Sequence, residues 1–251
     1  MDNNLEDLVW LSRELGRPEN NFTILGEGNT SFKSDSETFY VKSSGSCLAD
    51  IEMDQFVQVV FKNILTLLDI KDPDRDTIAR IYNDSKVNKN DSLRPSVEAL
   101  FHAVCLSYKG VNFVGHTHPT SINILTCSRN YPDILKGRMY PDEIVVMGIE
   151  SIFIPYVDPG VTLAKYLKQE IDEYIKKYDE FPKVIYVKNH GFIALGATAK
   201  EVLNITFTAH KAAEIRFGAS LSGGISLLSN KVVNQIAERP DEKYRKNKLN
   251  K

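Results

Sequence analysis

Cysteine is scarce in this chain: Cys47, Cys105 and Cys127 are an odd number with no Cys-x-x-Cys spacing among 251 residues. That excludes a disulfide framework and a cysteine-based zinc site. Cys105 and Cys127 stand in apolar stretches and are expected in the core. Neither sign of charge dominates, since 31 Lys and Arg against 33 Asp and Glu leave a net −2. Nothing in that balance argues for a nucleic-acid surface. Long hydrophobic runs are missing too. No stretch approaches the roughly 18 apolar residues of a membrane span, and the acidic start MDNNLEDLVW lacks the apolar run of a signal peptide. The expectation is a cytoplasmic protein with neither membrane nor nucleic acid as partner. Walker and dinucleotide fingerprints are absent, as are internal repeats and low-complexity linkers.

What is present is an ordinary globular balance, 42% hydrophobic and 25% charged, enough for one domain with a good core over residues 1–251. The part from about 230 is expected to be peripheral, its Lys243, Arg245, Lys246, Lys248 and Lys251 forming a solvated basic tail. Leu5, Leu8, Val9, Trp10 and Leu15 recur at helical spacing, ended by Gly16-Arg17-Pro18. Short strands are expected at Phe22–Leu25, Ser31–Lys33 and Thr38–Val41. Helical pattern covers Met53 to about Leu68 and Asp74 to Tyr82, with a polar loop at Asn83–Ser92. A helix is expected from an N-cap at Ser96 to Tyr108, and a strand at Val111–Val114. Val161–Tyr178 and about Ala199–Phe217 read as helices, and Val184–Val187 and Phe192–Leu195 as a hairpin. Mixed helices and hairpin-linked strands point to α/β layers rather than a purely parallel sheet.

The chemistry concentrates in histidine. His116 and His118, at i and i+2 of an extended segment, project from one face and can share a divalent cation. Alone, such a pair is equally the polar exit of a strand. His190, at the hairpin tip before Gly191, supplies a third imidazole, and three histidines with an open position are the pattern of a catalytic zinc. His102 lies four residues after Glu98 on one helix face and suits a packing or supporting role, whereas His210 reads as an ordinary structural histidine. Glu98 stands one turn into its helix, either a general base beside a metal, a fourth ligand, or a plain N-terminal helix charge. Gly26-Glu27-Gly28-Asn29-Thr30-Ser31 and Lys42-Ser43-Ser44-Gly45-Ser46 are turns whose N–H groups and hydroxyls suit an anion. Most such turns are only turns.

Taken in order, Gly28-Asn29-Thr30-Ser31, Ser44-Gly45, Pro95-Ser96-Val97-Glu98 with His102, His116-Thr117-His118-Pro119, Pro155-Tyr156 and Asn189-His190-Gly191 resemble the class II aldolase/adducin family. The resemblance spans roughly residues 5–220. It implies a three-layer α/β/α fold with a largely antiparallel central sheet, and zinc (or another divalent transition metal) on His116, His118 and His190. Gly28, Asn29, Ser44, Gly45 and Ser96 would then hold the phosphate of a small phosphorylated sugar. Glu98 would be the acid/base, and Tyr156 would protonate an aldehyde oxygen in a neighbouring subunit of a homotetramer. The implied activity is a lyase's, reversible cleavage of a rhamnulose- or fuculose-like ketose 1-phosphate. Epimerases and dehydratases share the metal site, and adducin heads use the fold without catalysis. Two features depart from the compact aldolases: Val97 stands where a second serine is common, and the segment between Gly45 and Pro95 is longer. Both look like the aldolase portion of longer aldolase/dehydrogenase proteins, although no dehydrogenase domain follows in these residues.

Overall fold

The computed structural model describes residues 3–249; Lys251 of the basic tail lies outside them, as do the side chains of Lys243 and Lys246. Seven strands form one sheet: β1 (Asn29–Lys33), β2 (Thr38–Lys42), β3 (Phe56–Val60), β4 (Phe113–Thr117), β5 (Ile152–Ile154), β6 (Val184–Val187) and β7 (Gly191–Gly196). Their order is β3-β2-β1-β4-β7-β6-β5. Every neighbouring pair is antiparallel except β5 and β6.

The central strands are buried on both faces, so the period-two alternation sorts two apolar sets rather than one apolar and one polar. Val41, Val57, Val114, Ile185 and Ile193 face α4 (Ala99–Ser107) and α7 (Val161–Tyr178), joined by residues of α2 (Phe61–Ile64). Phe32, Phe113, Tyr186, Phe192 and Ala194 face α1 (Asn3–Leu15) and α8 (Ala199–Leu221), joined by α5 (Thr120–Thr126). The result is the three-layer α/β/α arrangement. α3 (Arg75–Asp84) starts on the Asp74 side chain, which accepts the Thr77 N–H. α6 (Pro141–Met147) and α9 (Asn230–Glu238) share a small apolar cluster of Ile144, Val145, Val233 and Ile236, and α10 (Pro240–Leu249) follows. Arg245 on α10 pairs with Asp142 at 2.6 Å, so the tail is docked at that point.

Several expectations need correction. Phe22–Leu25 is not a strand: Phe22 and Thr23 are buried, but Ile24 and Leu25 are exposed and Leu25 has φ 52°. Met53–Leu68 is not a continuous helix. Its middle is strand β3, because Phe56, Val57 and Val59 pair with β2, a tertiary match that overrides the local helical spacing. The strand expected at Val111–Val114 runs from Phe113 to Thr117, and its later end brings His116 inside it. The helix after Pro95 begins at Ala99, and Ser96 lies in the turn before it rather than at the N-cap. Cys105 is buried, but Cys127 is exposed, because it caps the C-terminus of α5 instead of facing the core.

Candidate active site

Antiparallel register decides which side chains meet. Asn29 on β1 pairs with His116 on β4, and Ser31 with Val114. All four therefore point to the face covered by α4. α4 presents Glu98 at its N-cap and His102 one turn later towards that same face. His118 follows two residues after His116, its N–H bound to the Phe22 carbonyl at 2.8 Å. His190 enters from the β6–β7 turn, where Asn189 takes φ 51°.

The three histidines converge as expected. One ligand atom from each of His116, His118 and His190 lies within 4.8 Å of the others. His116 Nε2 and His118 Nε2 are 3.0 Å apart. His116 Nδ1–H donates to the Phe192 carbonyl at 3.0 Å, which leaves its Nε2 lone pair facing the centre. Burial, then the neighbouring His190, lowers the His116 pKa to about 3. Burial, then His116 and His190, lowers that of His118 to about 4. Neutral imidazoles are what a divalent cation requires, so the donor set fits a metal. Gly191 permits this approach: a Cβ there would lie 2.6 Å from the His118 ring and 2.7 Å from the Thr117 carbonyl.

Glu98 reaches the same centre, with Oε2 3.4 Å from His116 Nε2 and Oε1 3.4 Å from His190 Nε2. Its Oε2 accepts a hydrogen bond from Asn29 Nδ2 at 2.7 Å, while Oε1 is buried without a hydrogen-bond partner. Asn29 gives its second N–H to Ser96 Oγ, and its Oδ1 receives the ring N–H of His102. His102 Nδ1 accepts from Ser31 Oγ at 2.6 Å. Burial lowers the His102 pKa to about 3, so the ring is neutral and the chain of donors has one direction. Asn29 therefore orients Glu98, with its two N–H groups on Glu98 and Ser96, and it also lines the adjoining cavity.

The remaining predicted residues line a cavity of ≈ 280 Å³ beside the metal centre: Gly28, Ser44, Gly45 and Ser96. Gly28 has φ 69°, and a Cβ there would lie 2.7 Å from the His116 carbonyl, so only glycine fits. Ser96 Oγ accepts from the Glu98 N–H at 3.2 Å and keeps its own hydrogen. Tyr156 is exposed and is not among the residues lining the cavity, although Pro159 of the same loop is. Two charged residues at the site went unassigned in the sequence. Glu27 Oε2 lies 3.8 Å from His118 Nδ1, and Lys42 holds the Gly26 and Ser46 carbonyls, tying the two glycine turns together. Burial lowers the Lys42 pKa. The available signal was modest: a charged residue inside each glycine turn.

Comparison with known proteins agrees with this geometry. The profile of the family described as Class II Aldolase and Adducin N-terminal domain matches residues 6–217. YuxG of Bacillus subtilis (strain 168), described as an uncharacterized oxidoreductase, is 28% identical over 219 residues. That match covers 84% of this chain but 29% of YuxG, so the chain spans less than a third of that relative. Among solved structures, the N-terminal class II aldolase domain of a conserved protein from Thermoplasma acidophilum is 24% identical, with TM-score 0.68 over 86% of this chain and 95% of that one. An L-fuculose 1-phosphate aldolase is 17% identical, with TM-score 0.71 over 98% and 97%. These two likenesses are of fold. Since the histidines, Glu98 and both glycine turns all fall inside the matched span, the chain belongs to the class II aldolase and adducin family.

Proposed function

We propose that this protein is a metal-dependent aldolase that reversibly cleaves a ketose 1-phosphate to dihydroxyacetone phosphate and an aldehyde, with zinc as its metal. The observation that carries this reading is Glu98: a buried carboxylate with one oxygen oriented by Asn29 and the other free, 3.4 Å from two of three convergent histidines. His116, His118 and His190 would hold a divalent cation, which would supply Lewis-acid polarisation of the substrate carbonyl. In the condensation direction, Glu98 removes a proton from the carbon next to that carbonyl. The carbon then bonds to the aldehyde carbon, and the aldehyde oxygen takes a proton from Tyr156 of a neighbouring copy. Cleavage is the reverse. Gly28, Asn29, Ser44, Gly45 and Ser96 hold the phosphate, and Lys42 keeps the Ser44–Gly45 turn against the Gly26–Gly28 turn.

The test is triose phosphate release from a panel of ketose 1-phosphates by zinc-loaded protein, beside a chelated control. Chelator-sensitive dihydroxyacetone phosphate is the expected result, and the preferred ketose names the substrate. Conversion of a pentulose 5-phosphate to its epimer without triose would replace aldol cleavage with epimerisation at the same site.

A further inference from the structure

The metal cavity is not the largest enclosed space near the site. A second cavity, of ≈ 530 Å³, opens between α3 and the Pro95–Val97 turn, and Ser44 and Val97 line both. Its outer wall comes from the long segment between Gly45 and Pro95, which the proposed reaction leaves unused. Three cations line it, Arg75, Lys86 and Arg94, and its described lining includes no carboxylate. Arg75 and Arg94 form no ion pair among the described residues. Lys86 is 5% exposed, and among the described residues its ammonium is held only by the carbonyls of Asp91 at 2.6 Å and Leu93 at 3.4 Å. That leaves one N–H and a whole charge without a counter-ion. Of the acids beside the cavity, Asp74 accepts from the Thr77 N–H and Asp91 from the Leu93 N–H, while the Glu98 carboxylate is turned to Asn29 and the histidines.

The floor is apolar, with Ile78, Tyr82 and Val97. Tyr82 is fixed there, donating to the Val97 carbonyl at 2.8 Å and accepting from the Leu100 N–H at 3.3 Å. Val97 stands 67% exposed at the lip shared by the two cavities. An apolar floor with an uncompensated cationic rim matches one kind of occupant, an oxyanion carried on an apolar body.

We propose that this cavity is an anion subsite, continuous with the metal cavity, that takes the phosphate or carboxylate of a ligand whose apolar segment lies on Ile78, Tyr82 and Val97. It goes beyond the proposed reaction and does not depend on turnover. The test uses phenyl phosphate and benzoate with the full chain, monitored by the backbone amide resonances of Tyr82 and Val97, which line the cavity and remain in the variant below. Saturable shifts are expected. The exposed-residue double variant Arg75→Ala/Arg94→Ala should weaken binding at least tenfold, and chelation of the metal should change it less than twofold. A preference for phenyl phosphate assigns a phosphate, and a preference for benzoate a carboxylate. Absence of saturation with both probes, unchanged affinity in the double variant, or loss of binding on chelation (which would place the probe at the histidines) overturns the subsite.

Discussion

At the scale of single residues, the site separates metal holding from proton transfer. Glu98 touches the centre without being needed to fill the histidine set, so Glu98→Gln should retain metal while turnover falls by a factor on the order of 10². Metal stoichiometry and kcat measured on the same sample check this, and unchanged turnover would remove Glu98 from the reaction. His102 makes a prediction about pH. Its folded-state pKa is lowered by burial to about 3, below the 6.5 of an exposed histidine, so the unfolded chain takes up the proton first. The stability it contributes is complete above pH 6.5 and is lost as pH falls towards 3, by about 1.4 kcal/mol per unit of separation. Urea midpoints of metal-free protein should fall over that window, and less steeply in His102→Gln; equal slopes would show that another group sets the acid limit.

At the scale of elements, legibility in the sequence followed how local each cause was. α7 was readable to its ends because its apolar stripe and its α-helical length lie within one segment. The β6–β7 hairpin was readable because Asn189 and Gly191 mark its turn. β3 was not, since its strand character comes from pairing with β2 and is invisible in residues 53–68 alone. The three convergent histidines could be named from spacing. The Asn29–Glu98 bond could not, because it needs the register that sets Asn29 opposite His116. A tight constraint at the site itself is at the head of β7. Gly191→Ala should force the Thr117 carbonyl and the His118 ring apart, leaving the chain folded but weakening metal affinity tenfold or more, as disturbed ligand orientation does. Chelator competition reads this directly, and wild-type affinity would mean the hairpin yields without cost.

At the scale of the whole molecule, one sheet carries two apolar faces and collects its chemistry at one end of the central strands. No helix among the described residues is long and apolar enough to cross a membrane. Tyr156, exposed in its own chain, gives the proposed sharing of sites between copies a clear test. Mixing inactive Glu98→Gln with inactive Tyr156→Phe after dissociation and reassembly should restore part of the activity. No recovery would confine the site to one chain.

The order of the sheet also bears on how the protein reaches this state. β1 pairs with β4 across more than eighty residues, Asn29 opposite His116, and β4 pairs with β7 at a similar separation, Thr117 opposite Phe192. Long loops must close before either ladder forms, and contacts so distant along the chain are the slow ones. His116 and His190 cannot approach each other until the second ladder exists. Uptake of metal from a chromogenic chelator during refolding should therefore track the slowest phase of tryptophan fluorescence and never precede it. The site is thereby a clock for the completion of the fold.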